Sequence, residues 1–268
     1  MGRLENKVAI ITGSGKGQGR ASAIRFAKEG AKVVVADFDE KAGRDTVEVI
    51  RKDGGTAEFF AVDISNEEKC KDMVDFTVKT FGKLDILFNN AGISTRDYGD
   101  GARIENVPMK AWDRNLEVNL KGAFLTSKYA IPEIVKAGGG SVIITSSTAG
   151  VSGGFGIGPF KSKYPTGGPV AYTAAKSGII SMAKALAITY GPDQVRVNVI
   201  CPGIVNTELM SPLNLDDKEI QDSVTAAYPL RRLVEVDDIA NTALFLASDE
   251  SAIITGNIMM VDAGVTLY

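Results

Sequence analysis

The sequence predicts an α/β protein, a doubly wound parallel sheet of about seven strands flanked by helices. Short β-branched runs alternate with longer segments of helical periodicity, the pattern of parallel strands joined by crossover helices. The runs are almost continuously apolar, as strands covered on both faces must be. Glycines, 29 of 268 residues, gather at segment ends, where the backbone has to turn. A chain of this length is near the upper limit of one hydrophobic core, so residues 1–268 are expected to form a single domain.

The expected strands are VAIIT (8–12), KVVVAD (32–37), AEFFAV (57–62), LDILFN (84–89), SVIITS (141–146), VRVNVI (195–200) and NIMMVD (257–262). Helical spacing fills 17–29, 40–52, 66–81, 110–136, 171–190 and 236–248. Two stretches break this alternation. Residues 153–169 form a Gly- and Pro-rich insertion expected to border a pocket, and 204–228 read as a mobile loop over the substrate. Ligands of such sheets bind beyond the carboxyl ends of the strands.

Composition narrows the chemistry. With no histidine, the chain cannot build a Ser/His/Asp hydrolase, a Cys/His protease or a His-ligated zinc or haem site. Proton transfer is left to Tyr, Lys, Ser, Asp or Glu. Cys70 and Cys201 form no CxxC pair, so neither a disulfide framework nor a metal site is expected. A net charge of −3 argues against nucleic acid as a partner. No apolar run approaches the roughly 18 residues of a membrane span, and MGRLENKVAI lacks a signal-peptide layout, so a cytoplasmic protein is expected.

The first strand runs into Thr12-Gly13-Ser14-Gly15-Lys16-Gly17-Gln18-Gly19, after which a helix begins. Such glycines let the backbone approach a pyrophosphate seated on the positive end of the helix. A tight strand-to-helix turn would account for the cluster equally well. Asp37 closes the second strand about 20 residues further on, where a carboxylate accepts hydrogen bonds from ribose hydroxyls of a dinucleotide. It could also merely cap the next helix. An acid at this position repels a 2′-phosphate, and Phe38 follows it instead of a base, which favours NAD over NADP; Lys16, inside the glycine loop, argues the other way.

Tyr172 and Lys176 stand four apart on an expected helix, hence on one face. An ammonium beside a phenol favours the phenolate, and lowers a pKa that starts near 10, which suits acid/base work in a chain without histidine. An amphipathic surface helix would show the same spacing. Ser146 and Ser147 both follow the fifth strand on the side where a cofactor would sit, and either could polarise a substrate oxygen or serve as a turn residue. Asn119 lies in a helical segment, where its amide could instead satisfy neighbouring backbone.

Together, the TGxxxGxG form at Thr12 to Gly19, Asn89-Asn90-Ala91-Gly92, Ser147, Tyr172-Thr173-Ala174-Ala175-Lys176, and Pro202-Gly203 with Thr207 resemble the short-chain dehydrogenase/reductase family, over residues 4–268. The resemblance implies a Rossmann-type fold and an oxidoreductase that interconverts a secondary alcohol and its ketone with NAD. It selects Ser147 over Ser146 and implies Asn119, Ser147, Tyr172 and Lys176 as the catalytic set, with Asn119 holding water in a relay to Lys176. It implies cofactor contacts from Gly13, Gly15, Lys16, Gly17, Gln18 and Gly19, from Asp37 and Phe38, from Asp63 and Ile64 at the adenine, and from Asn90, Ala91 and Gly92. Tyr172 and Lys176 would reach the nicotinamide ribose, and Pro202, Gly203, Ile204 and Thr207 the carboxamide. A homotetramer packed through 110–136 and 171–190 is also implied.

Two departures stand out. Ser147 precedes Tyr172 by 25 residues, where the family has about a dozen, so the extra residues must loop out without displacing the pair. Phe155, Ile157, Phe160 and Tyr164 of that insertion, with Met210, Leu213, Leu215 and Tyr228, would line an apolar pocket for an apolar or cyclic alcohol. Ala263 replaces a glycine usual after Val261-Asp262, which puts the local turn in question. A sugar or polyol dehydrogenase and a non-catalytic NAD-binding regulator are the alternative readings.

Overall fold

The computed structural model describes residues 2–94, 99–100, 103–153, 169–207 and 217–267. Seven parallel strands, β1 (Val8–Thr12), β2 (Lys32–Asp37), β3 (Thr56–Ala61), β4 (Ile86–Asn89), β5 (Gly140–Thr145), β6 (Val195–Pro202) and β7 (Ile258–Val261), lie in the order β3-β2-β1-β4-β5-β6-β7. Strand order reverses between β1 and β4, which opens a crevice at their carboxyl ends.

Alternation along each strand divides the core. Ile10, Val142 and Ile144 face the helices α3 (Glu67–Phe81), α5 (Gly122–Lys136) and α7 (Val170–Tyr190), among Met73, Ile131 and Ile179. Ala9, Ile11 and Ile143 point the other way, to α1 (Gly17–Lys28), α2 (Glu40–Lys52) and α9 (Val236–Ala247), among Phe26, Val47 and Leu244. Each fully buried aliphatic side chain contributes about 2 kcal/mol of transfer free energy. This two-sided cover is why the strands read as unbroken apolar runs.

Most boundaries fall within two residues of those expected. Asn66 caps α3 by accepting from the Lys69 amide, and Asp39 caps α2 by accepting from Ala42. The fourth strand starts at Ile86 rather than 84, because the Asp85 carboxylate takes the Val8 amide at 2.7 Å that a strand carbonyl would otherwise receive. The single helix expected over 110–136 is three consecutive pieces: α4 (Met109–Asn115), a π-helical stretch Leu116–Lys121, and α5. A further short helix α6 (Ala149–Ser152) follows β5, and α8 (Lys218–Thr225) lies within the stretch read as loop. Ala263 adopts φ +52°, so the backbone keeps the left-handed turn that glycine would ease.

Candidate active site

The glycine loop is held by side chains from neighbouring strand ends. Gly13 takes φ +64°, and at Gly19 a Cβ would stand 2.1 Å from the Gly13 carbonyl oxygen, so helix and strand approach too closely for any larger residue. The Asn90 amide donates to the carbonyls of Thr12 and Gly13, both at 3.2 Å, and its oxygen accepts from Gln18 Nε2 at 2.8 Å. The Thr12 hydroxyl accepts from the amides of Asn90 and Ala91. Sequence reasoning passed over Thr12, although it opens the motif. At the start of α1, Lys16 offers no side-chain oxygen as a cap and the first turn holds no acid. That helix end, with its glycine cradle, fits the pyrophosphate of a dinucleotide.

Asp37 is held from two sides, by the Gly15 amide at 2.7 Å and the Asp39 amide at 2.9 Å. Helix capping falls to Asp39, not Asp37. Phe38 is 80% exposed at the rim of the crevice. Lys16 Nζ lies 3.6 Å from Asp39 Oδ2. At the adjoining wall, burial would raise the Asp63 pKa, but hydrogen bonds from the Ser65 hydroxyl and amide, aided by Arg114, hold it below the usual carboxylate range. Arg114, unnoticed in the sequence, lines the same wall and donates to Glu117 at 2.8 Å.

On the other side of the switch point the site is made of buried side chains. Lys176 is 3% exposed; Nζ donates to the Thr145 carbonyl at 2.9 Å and lies 5.6 Å from the centre of the Tyr172 ring. Burial pushes its ammonium pKa down to about 8. Ser146 donates to the Lys176 carbonyl at 2.7 Å and so ties β5 to α7, whereas Ser147 Oγ accepts from the Ala149 amide at 3.1 Å at the crevice wall. Gly150 permits this closeness, since a Cβ there would stand 2.8 Å from the Lys176 carbonyl carbon.

Asn119 sits within the π-helical stretch, a feature common at functional sites. Its amide donates to the Ile93 carbonyl at 3.0 Å and to Asn115 Oδ1 at 2.8 Å, while its oxygen accepts from the Ile93 amide. Asn119 therefore anchors the segment after β4 that carries Gly92 across the crevice.

All the expected catalytic and cofactor-binding residues except Gly15 and Gly19 line one crevice of about 470 Å³. Those two lie behind it, shaping the loop. Tyr228 does not line it: the ring is buried with Val224, Leu233 and Val265, and its hydroxyl accepts from the Ile204 amide at 3.4 Å. Ring bulk belongs here to a small satellite core. Phe155, Ile157, Phe160, Tyr164, Met210, Leu213 and Leu215 lie outside the described residues.

Residues 13–266 match the family model described as enoyl-(acyl carrier protein) reductase. With a family model over nearly the whole chain, the class is decided. The chain belongs to the short-chain dehydrogenase/reductase family. Two curated dehydrogenases and one solved structure show its range. The chain is 39% identical to the 2,5-dichloro-2,5-cyclohexadiene-1,4-diol dehydrogenase of Sphingobium indicum, over 98% of this chain and 97% of that one. It is 33% identical to the cyclohexanol dehydrogenase of an Acinetobacter species, over 98% and 96%. Carveol dehydrogenase of Mycobacterium avium, solved in complex with NAD, superposes with a TM-score of 0.88 at 30% identity over the full length of both chains. As a short-chain dehydrogenase/reductase the protein is an oxidoreductase with a Rossmann-type fold. No helix among the described residues is long and apolar enough to cross a membrane.

Proposed function

We propose that the chain is an NAD-dependent dehydrogenase that interconverts an apolar or cyclic secondary alcohol and its ketone. The observation that carries this reading is the grouping of Ser147, Tyr172 and buried Lys176 in one crevice, with Lys176 Nζ 5.6 Å from the Tyr172 ring. Bound nicotinamide supplies the hydride acceptor. The glycine loop and the start of α1 would hold its pyrophosphate, Asp37 the adenosine ribose, Asp63 the adenine, and Lys176 the second ribose. Tyr172, as phenolate, takes the alcohol proton, stabilised by the neighbouring ammonium. Ser147 holds the substrate oxygen: its own oxygen is fixed by the Ala149 amide, and its proton is directed elsewhere. Asn119 keeps Ile93 and the relay side of the crevice in place.

Several observations support NAD. Both Asp37 oxygens are oriented by backbone amides at the crevice, and Lys16 pairs with Asp39. Ile93, Pro169, Ile204 and Val205 present an apolar wall, in keeping with relatives named for cyclic alcohols. A single domain spanning 1–268, with 153–169 and 204–228 bordering the substrate, and a cytoplasmic homotetramer belong to the same proposal.

The test follows reduced-nicotinamide absorbance with cyclic, aromatic and linear secondary alcohols and sugars, with NAD and NADP in parallel. Turnover is expected with NAD and a cyclic alcohol. Tyr172→Phe should lower kcat about 10³-fold, the scale of a lost general acid/base, while NAD affinity stays within about twofold because the adenosine site is untouched. NAD binding without turnover of any alcohol in the panel would overturn the proposed secondary-alcohol substrate class.

A further inference from the structure

The helix that carries Tyr172 and Lys176 starts without a cap of its own. Pro169 occupies the N-cap position of α7, and its side chain offers no acceptor to cap it. The cap comes from 71 and 72 residues away in sequence: Asp100 Oδ1 accepts from the Ala171 amide at 3.2 Å and Oδ2 from the Tyr172 amide at 3.1 Å. Asp100 is 4% exposed, so its carboxylate faces protein donors and not solvent. Oδ2 also accepts from Asn115 Nδ2 at 3.1 Å, and Asn115 Oδ1 accepts from Asn119 Nδ2 at 2.8 Å. Asn115 and Asn119 are likewise buried.

We infer that Asp100 is a positioning residue for the acid/base group, joining the first turn of α7 through Asn115 to Asn119. The bonds converge on Asp100 from both sides. The Asn119 amide, held by Ile93, donates to Asn115; Asn115 donates to Asp100; Asp100 accepts the amide of Tyr172 itself. The backbone of the proposed acid/base residue and the side chain at the π-helical stretch therefore belong to one buried polar lattice. Buried polar groups of this kind hold geometry because each lost partner leaves another unsatisfied. A carboxylate suits the α7 end: among the described residues two backbone amides and a side-chain amide converge on it, all of them donors. Apolar substitutes at 100 or 115 would let the first turn of α7, and with it the Tyr172 ring, shift against Lys176 and Ser147.

The inference rests on the proposed role of Tyr172, and the experiment separates the two. Wild type, Tyr172→Phe, Asp100→Ala, Asp100→Asn and Asn115→Leu are compared for kcat, KM for alcohol and NAD affinity, with circular dichroism confirming folded protein. Asp100→Ala should lower kcat about 30-fold, within the roughly 100-fold that misplacement by 1 Å can cost, while NAD affinity changes less than about threefold because the adenosine site is built from β1, α1 and β2. Asn115→Leu, a change on α4 and not on α7 itself, should lower kcat in the same direction. Asp100→Asn, which keeps one acceptor oxygen but sets an NH2 against the remaining donors, should recover part of the loss and covers the case in which Asp100→Ala does not fold. Folded variants with wild-type kcat, beside an inactive Tyr172→Phe, would overturn the positioning role alone. A Tyr172→Phe enzyme that still turns over, or a wild type silent across the panel, would overturn both.

Discussion

The two sides of the switch point are made of different materials. On the adenosine side, contacts are backbone amides, a bare helix end and glycines whose missing Cβ atoms make room, with Asp37 held at the rim by two amides. On the reaction side, between β5, the π-helical stretch and α7, the contacts are buried side chains: Lys176 on Thr145, Ser146 on Lys176, Asn119 on Ile93, Asp100 on Tyr172. A backbone-built site tolerates change in most side chains but not a Cβ in the wrong place. A side-chain lattice fails one partner at a time, and each loss moves geometry or charge rather than affinity. The difference teaches that binding and turnover should be separable by mutation, beyond the loss of kcat without loss of NAD affinity expected for Tyr172→Phe.

The largest remaining effect concerns charge on the reaction side. Burial holds the Lys176 pKa near about 8 in the folded chain against 10.5 when unfolded. Between those values the unfolded chain holds the extra proton, so stability must rise with pH; below about 8 both states are protonated and the dependence vanishes. Relative to Lys176→Met, wild type should therefore gain about 3 kcal/mol from pH 8 to 10.5, at 1.36 kcal/mol per unit. Urea denaturation of both proteins across that range measures it, and a gain that grows toward low pH would refute a buried ammonium. Cys70 and Tyr228, both pushed up to about 12 by burial, act oppositely but equally in the two proteins.

Next comes the adenosine side. Gly19→Ala places a Cβ 2.1 Å from the Gly13 carbonyl oxygen. Relief of that clash must open the loop, and NAD affinity should fall about 100-fold, or about 2.7 kcal/mol, by fluorescence or calorimetric titration. Unchanged affinity would mean that the loop does not hold the pyrophosphate. The smallest effect lies outside both sides. Ala263→Gly relieves a left-handed residue and should raise stability by about 1 kcal/mol, the cost of that conformation for an L side chain. Its kcat should equal that of wild type.

Much of the adenosine side was legible because its information is local. Thr12 to Gly19 and Asp37 sit at the ends of strands whose apolar runs announce them, so position in the chain translates directly into position in space. Lys176 and Tyr172 were legible for the same reason, being neighbours on one helical face. The π-helical stretch was not, since its Asn119 is held by Ile93, 26 residues away, and no local pattern marks the stretch. Tyr228 shows the opposite error: an aromatic in an irregular stretch reads as pocket lining until the fold buries it against Val224 and Val265.

The sequence by itself determined the seven-stranded order of elements, the glycine loop and the acid/base pair, because strand period, helical period and motif spacing are properties of nearby residues. Tertiary structure alone decided what these groups lean on. Asp100 and Asn115 carry no local signal and acquire their roles only when the chain after β4 is folded against the start of α7. Hydrogen-bond partners separated by 71 and 72 residues are chosen by packing, and packing is written in no single stretch of the chain.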